Sequence, residues 1–154
     1  MPDSTPSIKL RIVQLIIALH QPLIQNSVFR VVERSMDLAL NAAVRPALQI
    51  YDGPEKPVSK DTFGRTYRFD VGLKILVEDP RDIASAKDLI VPQVQRIMEG
   101  NLQLTDASGN RLANIVDGGE EVPFLAEAAK PLGGSLVLYT IEYRRKLGDP
   151  FTTY

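Results

Sequence analysis

The chain has 154 residues, a formal net charge of −1, 44% hydrophobic and 24% charged side chains, and no cysteine. That length suits one domain, residues 1–154, in which folding removes roughly 70% of the surface of the unfolded chain from water. The near-neutral balance leaves no field that would draw the whole molecule to nucleic acid or an anionic membrane, and the missing thiols exclude disulfides, zinc ribbons, thiol nucleophiles and iron–sulfur ligation.

Thr5 as N-cap and Pro6 at the first helical position predict a helix that closes at Gln21-Pro22. Ile8, Ile12, Leu15, Ile16 and Leu19 form one apolar stripe, with Leu10, Val13 and Ile17 beside it. An arc this wide is either wedged deep in its own core or partly covered by a neighbouring subunit. Lys9, Arg11 and Gln14 interrupt the run, which is shorter than the ~20 residues of a membrane span, and charges inside it do not fit a signal peptide. Residence in a cytoplasm is the expectation. Val28, Val31, Val32, Met36, Ala39 and Leu40 predict a second helix over 27–40, although the β-branched cluster at 28, 31 and 32 leaves a strand start open. Residues 47–51 read as a short strand ending at Asp52-Gly53-Pro54, and 53–62 as an exposed loop.

From Tyr67 to Val77 apolar and other side chains alternate strictly, which predicts a strand with Tyr67, Phe69, Val71, Leu73, Ile75 and Val77 on the core face and a mostly wet opposite face. Such alternation favours an antiparallel sheet covered on one side. The expected class is α+β, a mostly antiparallel sheet with two to three helices packed on one face. Asp79-Pro80 predicts the start of a further helix, carried by Ile83, Ala86, Ile90, Val94 and Ile97 to Gly100 and either bent or split at Pro92. Leu102 and Leu104, a turn at 106–110, and residues 112–116 read as a hairpin, followed by a loop at Asp117-Gly118-Gly119. The last strand, 135–144, places Val137, Tyr139, Ile141 and Tyr143 on one face and Leu136 and Leu138 on the other, which fits a central position or a subunit contact. Arg144, Arg145 and Lys146 emerge together at its end, before a C-terminal tail over 147–154.

Chemistry is sparse in this pattern. One histidine, His20, at a helix C-terminus where a cation could meet the helix dipole, cannot assemble a zinc site or a Ser-His-Asp site alone. Asp117, Glu120 and Glu121 gather at a Gly-Gly turn but have no apolar setting to raise a pKa, so a solvated turn is the plainer reading. Gly133-Gly134-Ser135 precedes a strand, the wrong order for a phosphate cradle, and Asp106, Ser108 and Asn110 fit a plain turn better than a calcium loop. No cofactor or metal is expected. The 144–146 cluster, three cations without aromatic platforms, suits an acidic protein surface better than a nucleic-acid strand.

The opening helix, the strand from Pro46 to Tyr51, the strand from Tyr67 to Val77 with Asp79-Pro80, the helix after it, and the ending Tyr143-Arg144-Arg145 with Gly148-Asp149-Pro150 together resemble the tail terminator (tail completion) proteins of long-tailed bacteriophages. That resemblance implies a non-enzymatic subunit that forms a homo-hexameric ring on the last ring of tube protein, stops polymerisation and then binds a head-completion or stopper protein. It implies a place in the tail-neck region of the virion, assembly in the host cytoplasm, no membrane partner and no specific nucleic-acid binding, with DNA passing through the ring. Arg144, Arg145, Lys146, Asp149, Leu15, Leu19, Leu136 and Leu138 are then the candidates for ring or tube contacts. Another neck or tail part, a head-closure or baseplate adaptor protein, shares these features. A small cytoplasmic enzyme or ligand-binding domain would instead be a monomer or dimer with a closed polar pocket.

Overall fold

In a computed structural model, which describes residues 4–35, 46–78, 82–126 and 132–153, the chain runs α1 (Ile8–His20), α2 (Pro22–Gln25), β1 (Val31–Arg34), β2 (Ala47–Asp52), β3 (Lys56–Lys60), β4 (Gly64–Glu78), α3 (Ile83–Glu99), β5 (Gln103–Thr105), β6 (Arg111–Ala126) and β7 (Leu132–Lys146). The strands form one sheet ordered β1-β2-β4-β7-β6-β5, with β3 also paired to β4. Among the described residues β1 and β2 are the one parallel pair, so the class is α+β with a largely antiparallel sheet.

The alternation over 67–77 produces the strand that organises this sheet. β4 pairs with β7 from Gly64↔Lys146 to Glu78↔Leu132, which makes the two the sheet's centre. Tyr67, Phe69, Val71, Leu73, Ile75 and Val77 are all buried and join Val137, Tyr139, Ile141 and Tyr143 of β7, Ile8, Ile12, Val13 and Ile16 of α1, and Val91, Val94 and Met98 of α3 in one cluster. The opposite face is less wet than the alternation predicts. Arg68, Asp70 and Glu78 are exposed, but Gly72, Lys74 and Leu76 are buried. A central strand has neighbours on both sides, and the register sets Lys74 between Gln49 and Leu136 and packs Leu76 with Ala47 and Val31 in a small second cluster.

α1 starts two residues later than expected. Ser7, not Thr5, is the N-cap, its hydroxyl accepting from the Leu10 amide at 3.2 Å. The helix is tied down at several points: the Ile8 amide donates to the Pro150 carbonyl at 3.1 Å, Arg11 reaches the Phe151 carbonyl at 3.2 Å, and Lys9 reaches the Gly53 carbonyl at 2.7 Å. Lys9 also pairs with Asp52 at 3.1 Å, and Arg34 grips the same carboxylate through two hydrogen bonds at 2.8 and 2.9 Å. Burial opposes the charge on Asp52, yet the hydrogen bonds and charges of Arg34 and Lys9 outweigh it and hold the carboxyl below its usual range.

Several expected elements change form. Instead of a helix, residues 27–35 turn and enter β1, because Val31 and Val32 pair with Ala47 and Leu48; the part of that prediction at 36–40 lies outside the described residues. The N-cap of α3 is Asp82, whose carboxylate accepts from the Ser85 amide at 3.0 Å, while Asp79-Pro80 lies outside the described residues. α3 runs as one helix through Pro92. The 106–110 turn joins β5 to β6 as expected, its Asp106 carboxylate accepting from the Ser108 and Asn110 amides at 2.9 Å each. Asp117-Gly118-Gly119 is no loop but part of β6, which absorbs it by register shifts between Ile115 and Asp117 and between Gly118 and Glu120.

Candidate assembly interface

β3 continues the edge begun by β2, and the turn at 61–63 returns the chain into β4, so 56–68 form a hairpin beyond the end of β2. Residues 53–62 are thus largely exposed, as expected, but contain a strand rather than only loop. Every residue of β3 is exposed, and its Pro57 and flanking lysines are the composition an edge strand tolerates. Asp61 builds the turn by accepting from the Phe63 and Gly64 amides at 2.9 and 2.8 Å; those amides, and then Arg144, hold its carboxyl below the usual range. At the tip Phe63 is 63% exposed, with Val58 at 48% and Leu147 at 42%. A hydrogen bond of 3.0 Å from the Leu147 amide to the Phe63 carbonyl sets these two residues together. Lys60 and Lys146 are exposed nearby but on opposite faces, Lys60 across from Arg65 and Lys146 across from Gly64, and Lys146 lies close enough to Asp149 to help hold that carboxyl low.

The three consecutive cations are not one cluster, because successive strand residues point to opposite faces. Arg144 pairs with Asp61. Arg145 points to the core face, where its guanidinium lies 3.9 Å from the Tyr67 ring centroid, donates to the Tyr67 hydroxyl at 2.7 Å and reaches Glu55 at 3.4 Å. Tyr143 donates to the same Glu55 carboxylate and stacks on Tyr67 with centroids 5.8 Å apart. Burial, reinforced by Glu55, pushes the Tyr143 hydroxyl well above its ordinary pKa, so it stays a proton donor. Arg145 therefore pins the hairpin to the sheet, and of the three only Lys146 is exposed rather than half-buried. Asp149 is engaged locally, accepting from the Phe151 amide at 2.9 Å; the Thr152 hydroxyl and that amide hold its carboxyl low.

The sheet face opposite the core carries both acidic and basic side chains, Arg68 paired with Glu142 at 2.7 Å beside a group of carboxylates. The register aligns Asp70, Thr140 and Asp117 in one row and Gly72, Leu138 and Glu120 in the next. Asp70, Asp117, Gly118, Glu120, Leu138 and Thr140 line a concavity of about 280 Å³. Asp70 accepts from the Thr140 hydroxyl at 2.9 Å and Asp117 from the Gly118 amide at 2.8 Å, but no cation pairs with Asp70, Asp117 or Glu120 among the described residues. Leu136 and Leu138 are half-buried here, and Val122, aligned with Leu136, is 43% exposed. Gly72 keeps the row low, since a β-carbon there would lie 2.9 Å from Leu136 Cδ1.

The remaining candidates separate. Leu15 and Leu19 on α1 are partly buried and pack on the subunit's own core. Glu121 leaves the Asp117 group for the core face, where it accepts from Ser135 at 2.6 Å and pairs with Lys87 of α3 at 2.9 Å. Ser135 is itself buried inside β7, so Gly133-Gly134-Ser135 is ladder rather than cradle. His20 is fully buried, its Nδ1–H donating to the Ile16 carbonyl at 2.7 Å, and burial lowers its pKa, which favours a neutral core group over the cation that a helix end could hold. Among the described residues no cluster of His, Cys, Asp and Glu suits a metal ion, and no helix is long and apolar enough to cross a membrane.

Sequence reasoning did not single out Phe63, Leu147, Lys60 or Asp70, all of them exposed. The signal for the hairpin was present: aspartate at the first and glycine at the fourth position of Asp61-Thr62-Phe63-Gly64 suits a tight turn. Compared with protein-family models and with curated proteins, the chain matches none.

Proposed function

We propose that this is a structural, non-enzymatic tail terminator of a long-tailed bacteriophage. It forms a homo-hexameric ring on the last ring of tail tube protein, stops tube polymerisation and presents its far side to the head-completion or stopper protein. It acts in the tail-neck region after assembly in the host cytoplasm, with DNA passing through the ring. The observation that carries this reading is the hairpin tip. Val58, Phe63 and Leu147 expose apolar surface on a projecting element, and a contiguous apolar patch of this kind is the mark of a surface that a partner covers. The α+β class agrees with the fold that the resemblance implies.

The same reading places α1 and α3 on one face of the sheet, since both join a single cluster with the odd-numbered residues of β4 and β7. That arrangement leaves the opposite face, with Leu136 and Leu138, for partners. Open-ended tail tubes imaged by electron microscopy test the proposal. With the protein added, rings of sixfold symmetry should sit on tube ends, and fresh tube protein should no longer extend them. Bare ends and continued growth would refute it.

A further inference from the structure

The strand register builds a row of cations that the sequence keeps apart. Lys60 pairs with Arg65 across β3 and β4, and Arg65 pairs with Arg145 across β4 and β7, so the three side chains stand side by side at the end of the sheet's core face. Arg65 and Arg145 both hydrogen-bond the Tyr67 hydroxyl, Arg145 at 2.7 Å, so their guanidiniums converge. Those bonds, that of Arg65 foremost, hold the hydroxyl below its ordinary pKa, as a positive local field does. Among the described residues Glu55 is the one carboxylate paired with the row, at 3.4 Å from Arg145. Asp61 is engaged by Arg144, whose side chain leaves the opposite face, and Asp149 by Thr152 and the Phe151 amide. Three cations against one carboxylate leave the row in positive excess, with Lys60 exposed and Arg65 and Arg145 half-buried.

We propose that this row is a contact site for the phosphate backbone of a nucleic acid, taken without regard to base sequence. Like charges directly opposite one another destabilise a sheet, so a fold that holds three in line gains when an anion covers them. Neighbouring strands lie ~4.8 Å apart, which spreads the row over roughly 10 Å. Its ligand needs charges that also run in a line. A nucleic-acid strand supplies them, one phosphate per ~3.4 Å of duplex axis, whereas the carboxylates of a folded surface are interspersed with cations. Arginine suits the role because its planar fork meets two phosphate oxygens at once. The formal net charge of −1 does not oppose such a contact, since the surplus is local. The row belongs to a single copy of the chain, so it stands or falls apart from the ring; in the assembly proposed above, the DNA passing through is the nearest such ligand.

Fluorescence anisotropy of a labelled duplex DNA of mixed sequence, titrated with the full chain, tests the site. Each phosphate contact contributes about −0.9 to the slope of log K against log salt. Raising salt from about 20 to about 200 mM should then weaken wild-type binding by roughly 500-fold for three contacts, and by only about 60-fold once Lys60→Gln or Arg65→Gln removes one. Arg65→Lys keeps the charge and should keep the wild-type slope. Lys56→Gln removes the same charge from the opposite face, beside Arg68, and should change nothing. Lys60 is exposed, so its variant still reads the row should Arg65→Gln disturb the fold, which circular dichroism monitors. No duplex binding at the lower salt, slopes untouched by both neutralisations, or an equal loss from Lys56→Gln would each overturn the proposal. So would poly-glutamate binding as tightly as duplex of the same charge, which marks an acidic protein partner, or displacement of the duplex by inorganic phosphate at equal phosphate concentration, which marks a site for the free ion.

Discussion

Replacing Gly118 by alanine probes the junction of β6 and β7 beneath the acidic concavity. Gly118 has φ +128°, and a β-carbon there would fall 2.4 Å from the Leu138 carbonyl oxygen and 2.5 Å from Tyr139 Cα. Two costs add. Holding alanine at positive φ costs ~1–3 kcal/mol. The overlap is with backbone, which no rotamer change relieves, so β6 must move off β7 and forfeit a ladder hydrogen bond or two at ~1 kcal/mol each. The sum, about 4 kcal/mol, is a large part of a typical domain's stability and lowers Tm by roughly 12 °C for a chain of this size. Gly109→Ala is the internal control: its φ is +84°, but nothing lies within 4 Å, so it should lose only the conformational part, ~1–2 kcal/mol. Urea and thermal unfolding of both variants measure the difference. Equal losses would show that close approach to β7 is not what demands glycine at 118.

Burial lowers the pKa of His20 in spite of its hydrogen bond to Ile16, so the unfolded chain takes up the proton first. The stability linked to this group is complete above its ordinary value of 6.5 and declines as pH falls below it. His20→Leu should flatten the pH dependence of the urea midpoint as pH falls below 6.5, and an unchanged slope would rule the residue out as its source. Arg145→Glu would set a carboxylate beside Glu55 and strip the cation from the Tyr67 ring. It should cost ~1–2 kcal/mol and speed hydrogen exchange in β3 and the start of β4, whereas exchange at the wild-type rate would show that Arg145 does not hold the hairpin.

The parts of the fold legible in the sequence are those whose burial is set within a single element. β4 declared its core face because Tyr67 to Val77 alternate without a break, and α3 because its apolar residues keep helical spacing as far as Gly100. What escaped depends on partners distant in sequence. β1 is a strand because β2 lies alongside it, so the helical spacing over 27–40 misled while the β-branched valines pointed the right way. β3 buries nothing and carries Pro57, so hydrophobic pattern could not report it; it exists because β4 extends past β2 and offers an open edge. The basic ending was legible as charge but not as geometry. The period of two turns Arg145 inward to Tyr67 and Glu55 and leaves Lys146 outside, a separation three adjacent letters conceal.

The pairing of β4 with β7 also dictates when the molecule can fold. Its partners lie far apart along the chain, Gly64 with Lys146 and Arg68 with Glu142, so the middle of the sheet has no template until nearly all of the chain has been made. The β2–β3–β4 hairpin, closed by a turn of three residues, can form early, but its long inner edge then waits unpaired while α3, β5 and β6 are translated. Such an edge invites strands from other chains, which makes slow synthesis and crowded expression the conditions under which this protein should aggregate.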